Sequence, residues 1–250
     1  MFRPQKTVAA AATAARRELE TLSRPAGDFD ASRYFRGDHG LRFYNAGSGH
    51  VRALSREIYL AQRDRWTLRE ALSFADTLMP DPFLEAKAVG LEVLARYKRD
   101  FTPSLLGRCK RWLAKNQSAN WATTDEMCGA IIGPLLLNHP ELVPQLRAWA
   151  GHENLWVRRA SIVGLLKPMR IGAALDQVYA TARTLHPDPH DLIHKAVGWA
   201  LREAGKIDAP RLERYLRANV GIIPRTTFRY AIERFGERAR KALLSLRPPS

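Results

Sequence analysis

The sequence predicts an all-α protein, an α-solenoid of stacked helix pairs with a concave basic groove. Three observations predict it. Apolar residues recur at helical spacing along nearly the whole chain, and no segment alternates convincingly as a strand would. Short, similar segments return at an interval near 36 residues. Lys and Arg number 40 against 25 Asp and Glu, a formal net charge of +15 over 250 residues.

Residues 1–250 read as a single repeat domain in three parts. In 1–23 an Ala-rich patch runs straight into Arg16, Arg17, Glu18 and Glu20 on a continuing helical pattern. That predicts an N-terminal helix, since a secretory leader needs a longer apolar core, and the expected location is the bacterial cytoplasm or nucleoid. The stretch 24–50, "RPAGDFDASRYFRGDHGLRFYNAGSGH", is a loop-rich insertion. Arg36, Arg42, His50, Arg52 and Arg56 make it and its continuation basic, and Tyr34, Phe35, Phe43 and Tyr44 make it aromatic. Loops of that length tend to carry function. From 51 onward the periodicity predicts helices over 51–61, 81–100, 104–114, 123–137, 140–150, 154–167, 171–183, 189–204, 209–218, 225–235 and 236–246. Breakers such as "GHEN" at 151, "HPDPHD" at 186 and "VGIIP" at 220 separate them. Asp81 or Asp76 is expected to cap the helix of 81–100. Nowhere is there the run of roughly 18 apolar residues needed to span a bilayer, so no membrane partner is expected, and the protein is expected to be a monomer.

Four segments carry the repeat: "AKAVGLEVL" from 86, "RRASIVGLL" from 158, "HKAVGWALR" from 194 and "FRYAIERF" from 228. Each sets a basic residue, Lys87, Arg159, Lys195 or Arg229, ahead of an apolar run. The spacing suits antiparallel helix pairs of the HEAT or armadillo kind, in which equivalent positions form a column along one face. A basic column would hold the phosphates of double-stranded DNA without reading sequence. The missing copy falls near residue 123, where the chain reads "NWATTDEMCGA" and sets Asp125 in place of a cation. Asp125 could cap its helix, as Thr123 and Thr124 also could. Alternatively it serves chemistry together with Trp121, four residues earlier, if the helix begins at or before that tryptophan. Trp156 stands three residues before Arg159, and Trp199 four after Lys195. Aromatics interleaved with cations suit a stacked or cationic ligand, although each tryptophan alone could equally be packing.

An N3- or N7-alkylated purine is already cationic, so it leaves the sugar with little general-acid help. What its removal needs is a carboxylate to stabilise the positive charge developing on the sugar, a positioned water, and electron-rich rings around the base. No other chemistry is written as clearly. Cys109 and Cys128 have neither metal nor redox spacing, His186 and His190 lie in a proline-broken stretch, and no phosphate loop or dinucleotide fingerprint occurs. No metal or cofactor is expected.

The blocks "NWATTD" (120–125), "HENLWVRRASIV" (152–163) and "IHKAVGWALREAGK" (193–206) resemble the DNA alkylation repair glycosylases built from HEAT-like repeats, the AlkD-like family. In spacing the resemblance covers about residues 50–235. It implies an all-α superhelical fold and release of 3-methyladenine and 7-methylguanine from alkylated duplex DNA. It also implies that Asp125 is the catalytic carboxylate, that Trp121 and Trp199 are the indoles at the lesion, and that Arg159 is a groove arginine. Lys195, Lys87, Arg229, Trp156 and Arg52 complete the expected DNA-binding set. Asn120 and Ala122 stand where the family pattern often has an aromatic and an acid. Two other readings keep the fold and change the function: a non-catalytic binder of branched or damaged DNA, and a protein-interaction solenoid.

Overall fold

The computed structural model describes residues 2–25, 35 and 40–246, and these residues are helical with no strand among them. Tyr34 and Arg36 of the predicted insertion lie outside the described residues. The chain divides into two compact units, Met1–Leu135 and Leu136–Ser250. No helix of the described residues is long and apolar enough to cross a membrane.

The first unit is built from α1 (Val8–Thr21), α2 (Ser48–Gln62), α3 (Leu68–Leu78), α4 (Leu84–Ala95), α5 (Ser104–Ala114) and α6 (Trp121–Met127). They form two layers, with α1 on α3 in one, α2 on α4 on α6 in the other, and α3 packed flat on α4. Helix α4 is central. It buries Ala86, Val89, Leu91, Val93 and Leu94 around its circumference, as a helix enclosed by neighbours must. Gly90 lets α3 come close, because a Cβ there would lie 3.2 Å from the Leu78 Cβ. Helix α5 is tied to α3 by Arg108 and Trp112, which both donate to Asp76. Asp76 therefore does not cap α4. Nor does Asp81, which accepts from the Phe83 N–H at 3.0 Å and pairs with Arg16 at 2.6 Å, ordering the turn before the helix.

Helix α3 lies in a stretch where the periodicity predicted nothing, yet its start is written locally. Thr67 and Glu70 form a capping box, with the Thr67 N–H donating to the Glu70 carboxylate at 2.9 Å. The front segment is stitched onto the turn between α3 and α4. The Arg42 N–H donates to the Pro82 carbonyl (2.8 Å), and the Leu84 N–H to the Arg42 carbonyl (2.9 Å). Tyr44 stacks on Phe83 with centroids 3.9 Å apart, and the Arg42 guanidinium lies over the same ring. Two residues of the basic and aromatic insertion are thus engaged at the start of α4.

The second unit comprises α8 (Val143–Arg147), α9 (Leu155–Val163), α10 (Leu166–Arg170), α11 (Leu175–Leu185), α12 (Asp191–Gly205), α13 (Ala209–Ala218), α14 (Arg225–Ala231) and α15 (Glu237–Leu244), with the division of the chain falling inside α7 (Gly133–Asn138). It has two layers as well: α9, α12 and α14 pack in succession, backed by α8, α11 and α13. The α12–α14 contact is the most intimate. A Cβ on Gly198 would sit 2.4 Å from the Tyr230 Cβ and 2.8 Å from the Thr227 carbonyl oxygen, so only glycine fits there. The repeated "KAVG" at 87–90 and 195–198 thus ends, both times, in a glycine at a close helix approach. In the backing layer, buried His186 bonds the Tyr215 hydroxyl at 2.7 Å, and burial pushes its imidazole down to about 4.

The aligned segments lie on α4, α9, α12 and α14, and the missing copy on α6. Within each unit these helices are direct neighbours, as a repeat of about 36 residues requires.

Candidate functional site

Helix α6 begins at Trp121 because Asn120 caps it: the Asn120 Oδ1 accepts the Thr123 N–H at 2.8 Å from an extended backbone. The capping role that the sequence left open for Asp125 is therefore taken. Thr123 and Thr124 are buried, and the Thr124 hydroxyl donates to the Ser118 carbonyl at 3.0 Å. Trp121 opens the helix and Asp125 comes four residues later, so both occupy one face of the same turn, and both are half-buried. The departure from the family pattern at residue 120 has a structural reason here, since an aromatic could not cap. Asn120 also keeps its Nδ2 buried without a partner among the described residues.

Immediately after this turn the helix widens into a π turn over Cys128–Ile132. Such a bulge inserts a residue into the helical ladder and is frequent at functional sites. Above Trp121 lies Phe35, its ring nearly parallel to the indole, with centroids 5.2 Å apart and planes at 9°. Phe43 supports Phe35 from the side at 5.3 Å. The insertion thus delivers a ring to a predicted lesion-contact residue, which no local pattern could show.

Sequence reasoning also missed an electrostatic cluster beside Asp125. Burial pushes the Glu126 carboxyl up to about 8, the nearby Glu92 raises it further, and Arg52 opposes both. Burial likewise raises Glu92, against the pull of Arg52, Arg96 and a Ser55 hydrogen bond. Arg52 was expected at phosphates. It is exposed on α2, with a carboxylate pair as its electrostatic neighbours. The signal available in the sequence was weak, because the two glutamates belong to different helices.

The predicted basic column has two kinds of member. Lys87 is buried, and its ammonium donates to the carbonyls of Met79 (2.7 Å) and Gln117 (2.9 Å). Arg159 is buried too, and donates to the Leu192 carbonyl at 2.5 Å. Each cation reaches the backbone just before or at the start of the next helix in its layer. For Lys87, expected at a phosphate, the two donations join neighbouring repeats. Lys195 and Arg229 differ. Lys195 is half-exposed and pairs with Asp191 at 2.7 Å, and Arg229 is exposed. Trp199 follows Lys195 by one turn on α12 and is half-buried. Trp156 is half-buried in the first turn of α9, which Asn154 caps through the Trp156 and Val157 N–H groups. No group of three His, Cys, Asp or Glu side chains among the described residues could hold a metal ion.

Comparison with known proteins agrees with the resemblance. A family model described as DNA alkylation repair enzyme matches residues 15–235. A solved structure described as a predicted DNA alkylation repair enzyme from Enterococcus faecalis is similar in fold, with a TM-score of 0.68. It is 15% identical, and the similarity covers 95% of this chain and 99% of that one. No curated protein matches the chain.

Proposed function

The chain belongs to the DNA alkylation repair enzyme family, and from that premise we propose that it is a DNA glycosylase releasing cationic N3- and N7-alkylated purines, of the 3-methyladenine and 7-methylguanine type, from duplex DNA. The observation that carries the reading is the first turn of α6. Asn120 supplies the cap, which leaves Asp125 on a common face with Trp121 at a half-buried position. A carboxylate and an indole so placed match what loss of a cationic base demands. As the bond from C1′ to the base nitrogen breaks, its electron pair goes to the base and neutralises it. Positive charge grows on the sugar, where the Asp125 carboxylate stabilises it. The same carboxylate orients a water whose oxygen bonds C1′ and whose proton passes to the surrounding water. Trp121 offers the cationic base an electron-rich face.

In the second unit, Trp199 and Arg159 are assigned to the DNA through the resemblance, and Lys195 and Trp156 through the repeat spacing. Lys195 is the cation among them whose half-exposed head suits a phosphate. Arg159 acts through the helix it holds.

The test is incubation with methylated duplex DNA and chromatography of the released bases. The wild-type protein is expected to release 3-methyladenine and 7-methylguanine, and Asp125→Asn to release them about 100-fold more slowly or worse, the usual scale for removing a stabilising group aimed at developing charge. Undiminished release by Asp125→Asn would remove Asp125 from the chemistry. Tight DNA binding by the wild type without any release would make this a non-catalytic binder of damaged or branched DNA.

A further inference from the structure

The last repeat of the second unit holds a cleft of about 640 Å³ between α12, α14 and α15. That size lies within the roughly 300–1,000 Å³ usual for ligand sites. Its charged lining comes from Asp191, Lys195, Arg229, Glu233 and Arg240, with Thr226 and Tyr230 beside them. The two carboxylates are already matched. Asp191 holds Lys195 at 2.7 Å, and Glu233 is paired with Arg202. Arg229 and Arg240 are both exposed and make no ion pair and no side-chain hydrogen bond among the described residues. Two unpaired guanidiniums on one cleft repel each other, and they present planar forks of donors that fit an oxyanion bidentately.

Arg229 differs from its counterparts in the repeat. Lys87 and Arg159 reach the backbone leading into the next helix of their layer, and Lys195 pairs with Asp191. Arg229 sits on α14, the last helix of the α9–α12–α14 succession. Its place is completed by α15, which brings Arg240 to the cleft and places Arg238 outside it.

We propose that this cleft is a backbone-phosphate site for duplex DNA, in which Arg229 and Arg240 grip a phosphodiester and Lys195 stands by, held to Asp191. The proposal rests on the reading of the protein as a DNA-repair enzyme. It adds a grip at the C-terminal end, with Arg240 as a contact that neither the repeat alignment nor the family resemblance singled out.

The experiment measures affinity of the full chain for a short undamaged duplex at several salt concentrations. Arg240→Ala and Arg229→Ala are compared with wild type and with Arg238→Ala, which removes the same charge from α15 outside the cleft. Each cleft variant is expected to bind about fivefold to tenfold more weakly, as loss of a charge-assisted contact implies. Each should also lower the slope of log affinity against log salt, and the double variant Arg229→Ala/Arg240→Ala should lower it by about 0.9, the counterion share of one phosphate. Arg238→Ala should keep the wild-type slope. Wild-type affinity and slope in both cleft variants, or an equal loss in Arg238→Ala, would overturn the site. The outcome is separable from the glycosylase reading, because the duplex carries no alkylated base to release. A wild type that releases methylated bases while the cleft variants bind normally removes only the cleft. A wild type that releases nothing while the cleft variants lose affinity removes only the glycosylase.

Discussion

The Lys87 ammonium donates to the Gln117 carbonyl at 2.9 Å and thereby joins α4 to the segment leading into α6. A second donation, to the Met79 carbonyl at 2.7 Å, fastens the end of α3 to the same point. Arg159 makes the corresponding connection in the second unit, through Leu192. A cation suits this work because it carries several donors on a long stem, and buried carbonyls beyond a helix end need partners.

Lys87→Ala should therefore act on stability. The buried bond to the Met79 carbonyl and the part-buried bond to that of Gln117 are lost, and the buried carbonyl left without a donor costs about 1–3 kcal/mol. The melting temperature should fall accordingly, by roughly 2–4 °C per kcal/mol for a chain of this size. Salt dependence of duplex binding should stay that of the wild type. A slope reduced by about 0.9 would instead return Lys87 to the phosphate-binding set.

Asn120→Ala removes the cap of α6 and should cost about 1 kcal/mol, within the 0.5–2 kcal/mol of such changes. Asn120→Ser keeps an oxygen at the cap and should recover most of the loss. Thermal unfolding of the two variants decides it, and equal destabilisation would mean that burial of the Asn120 side chain, not its hydrogen bond to Thr123, matters.

What the sequence displayed and what it concealed divide along the same physical line. Features set by local chemistry were legible. Helices α5 and α13 have the boundaries that periodicity predicts, and the repeated "KAVG" marks two neighbouring-helix contacts. The capping box at Thr67 and Glu70 was equally local and announced α3, although the apolar spacing did not. Features set by contacts between distant residues were not legible. Nothing near Lys87 in the chain says that its head is buried against Gln117, and nothing near Phe35 says that it meets Trp121. A cation in a repeat reads the same whether it faces phosphate or a carbonyl. For this reason the aligned positions could be read from the sequence while the carbonyl partners of Lys87 could not.

Phe35 should shield Trp121. Parallel rings at 5.2 Å withdraw one face of the indole from solvent, and such a pair contributes about 0.5–1.5 kcal/mol beyond simple burial. Phe35→Ala is expected to increase quenching of tryptophan fluorescence by a neutral quencher, and that increase should vanish when Trp121 is also replaced by Phe. A Phe35→Ala effect that persists in the Trp121→Phe background would assign the change to another tryptophan and dissolve the pairing.

Glu126 supplies a pH dependence whose sign follows from its surroundings. Burial, with Glu92 adding, raises its folded-state value from 4.5 to about 8. The folded protein therefore holds this proton more tightly than the unfolded chain, so the associated stability is complete below about 4.5 and is lost as pH rises through about 8. Glu126→Gln imitates the protonated side chain at every pH. It should leave the melting temperature unchanged near pH 4, where the wild type is already protonated, and raise it by several degrees at pH 9, where the wild type must bury a charge close to Glu92. The Arg52 guanidinium offsets part of that cost, so Arg52→Ala should steepen the wild-type decline towards high pH, and should do so less once Glu126→Gln is present, where only its pull on Glu92 remains. A melting temperature for Glu126→Gln that runs parallel to wild type from pH 4 to pH 9 would show that Glu126 is ionised at low cost, and would separate this carboxylate from the electrostatics next to Asp125.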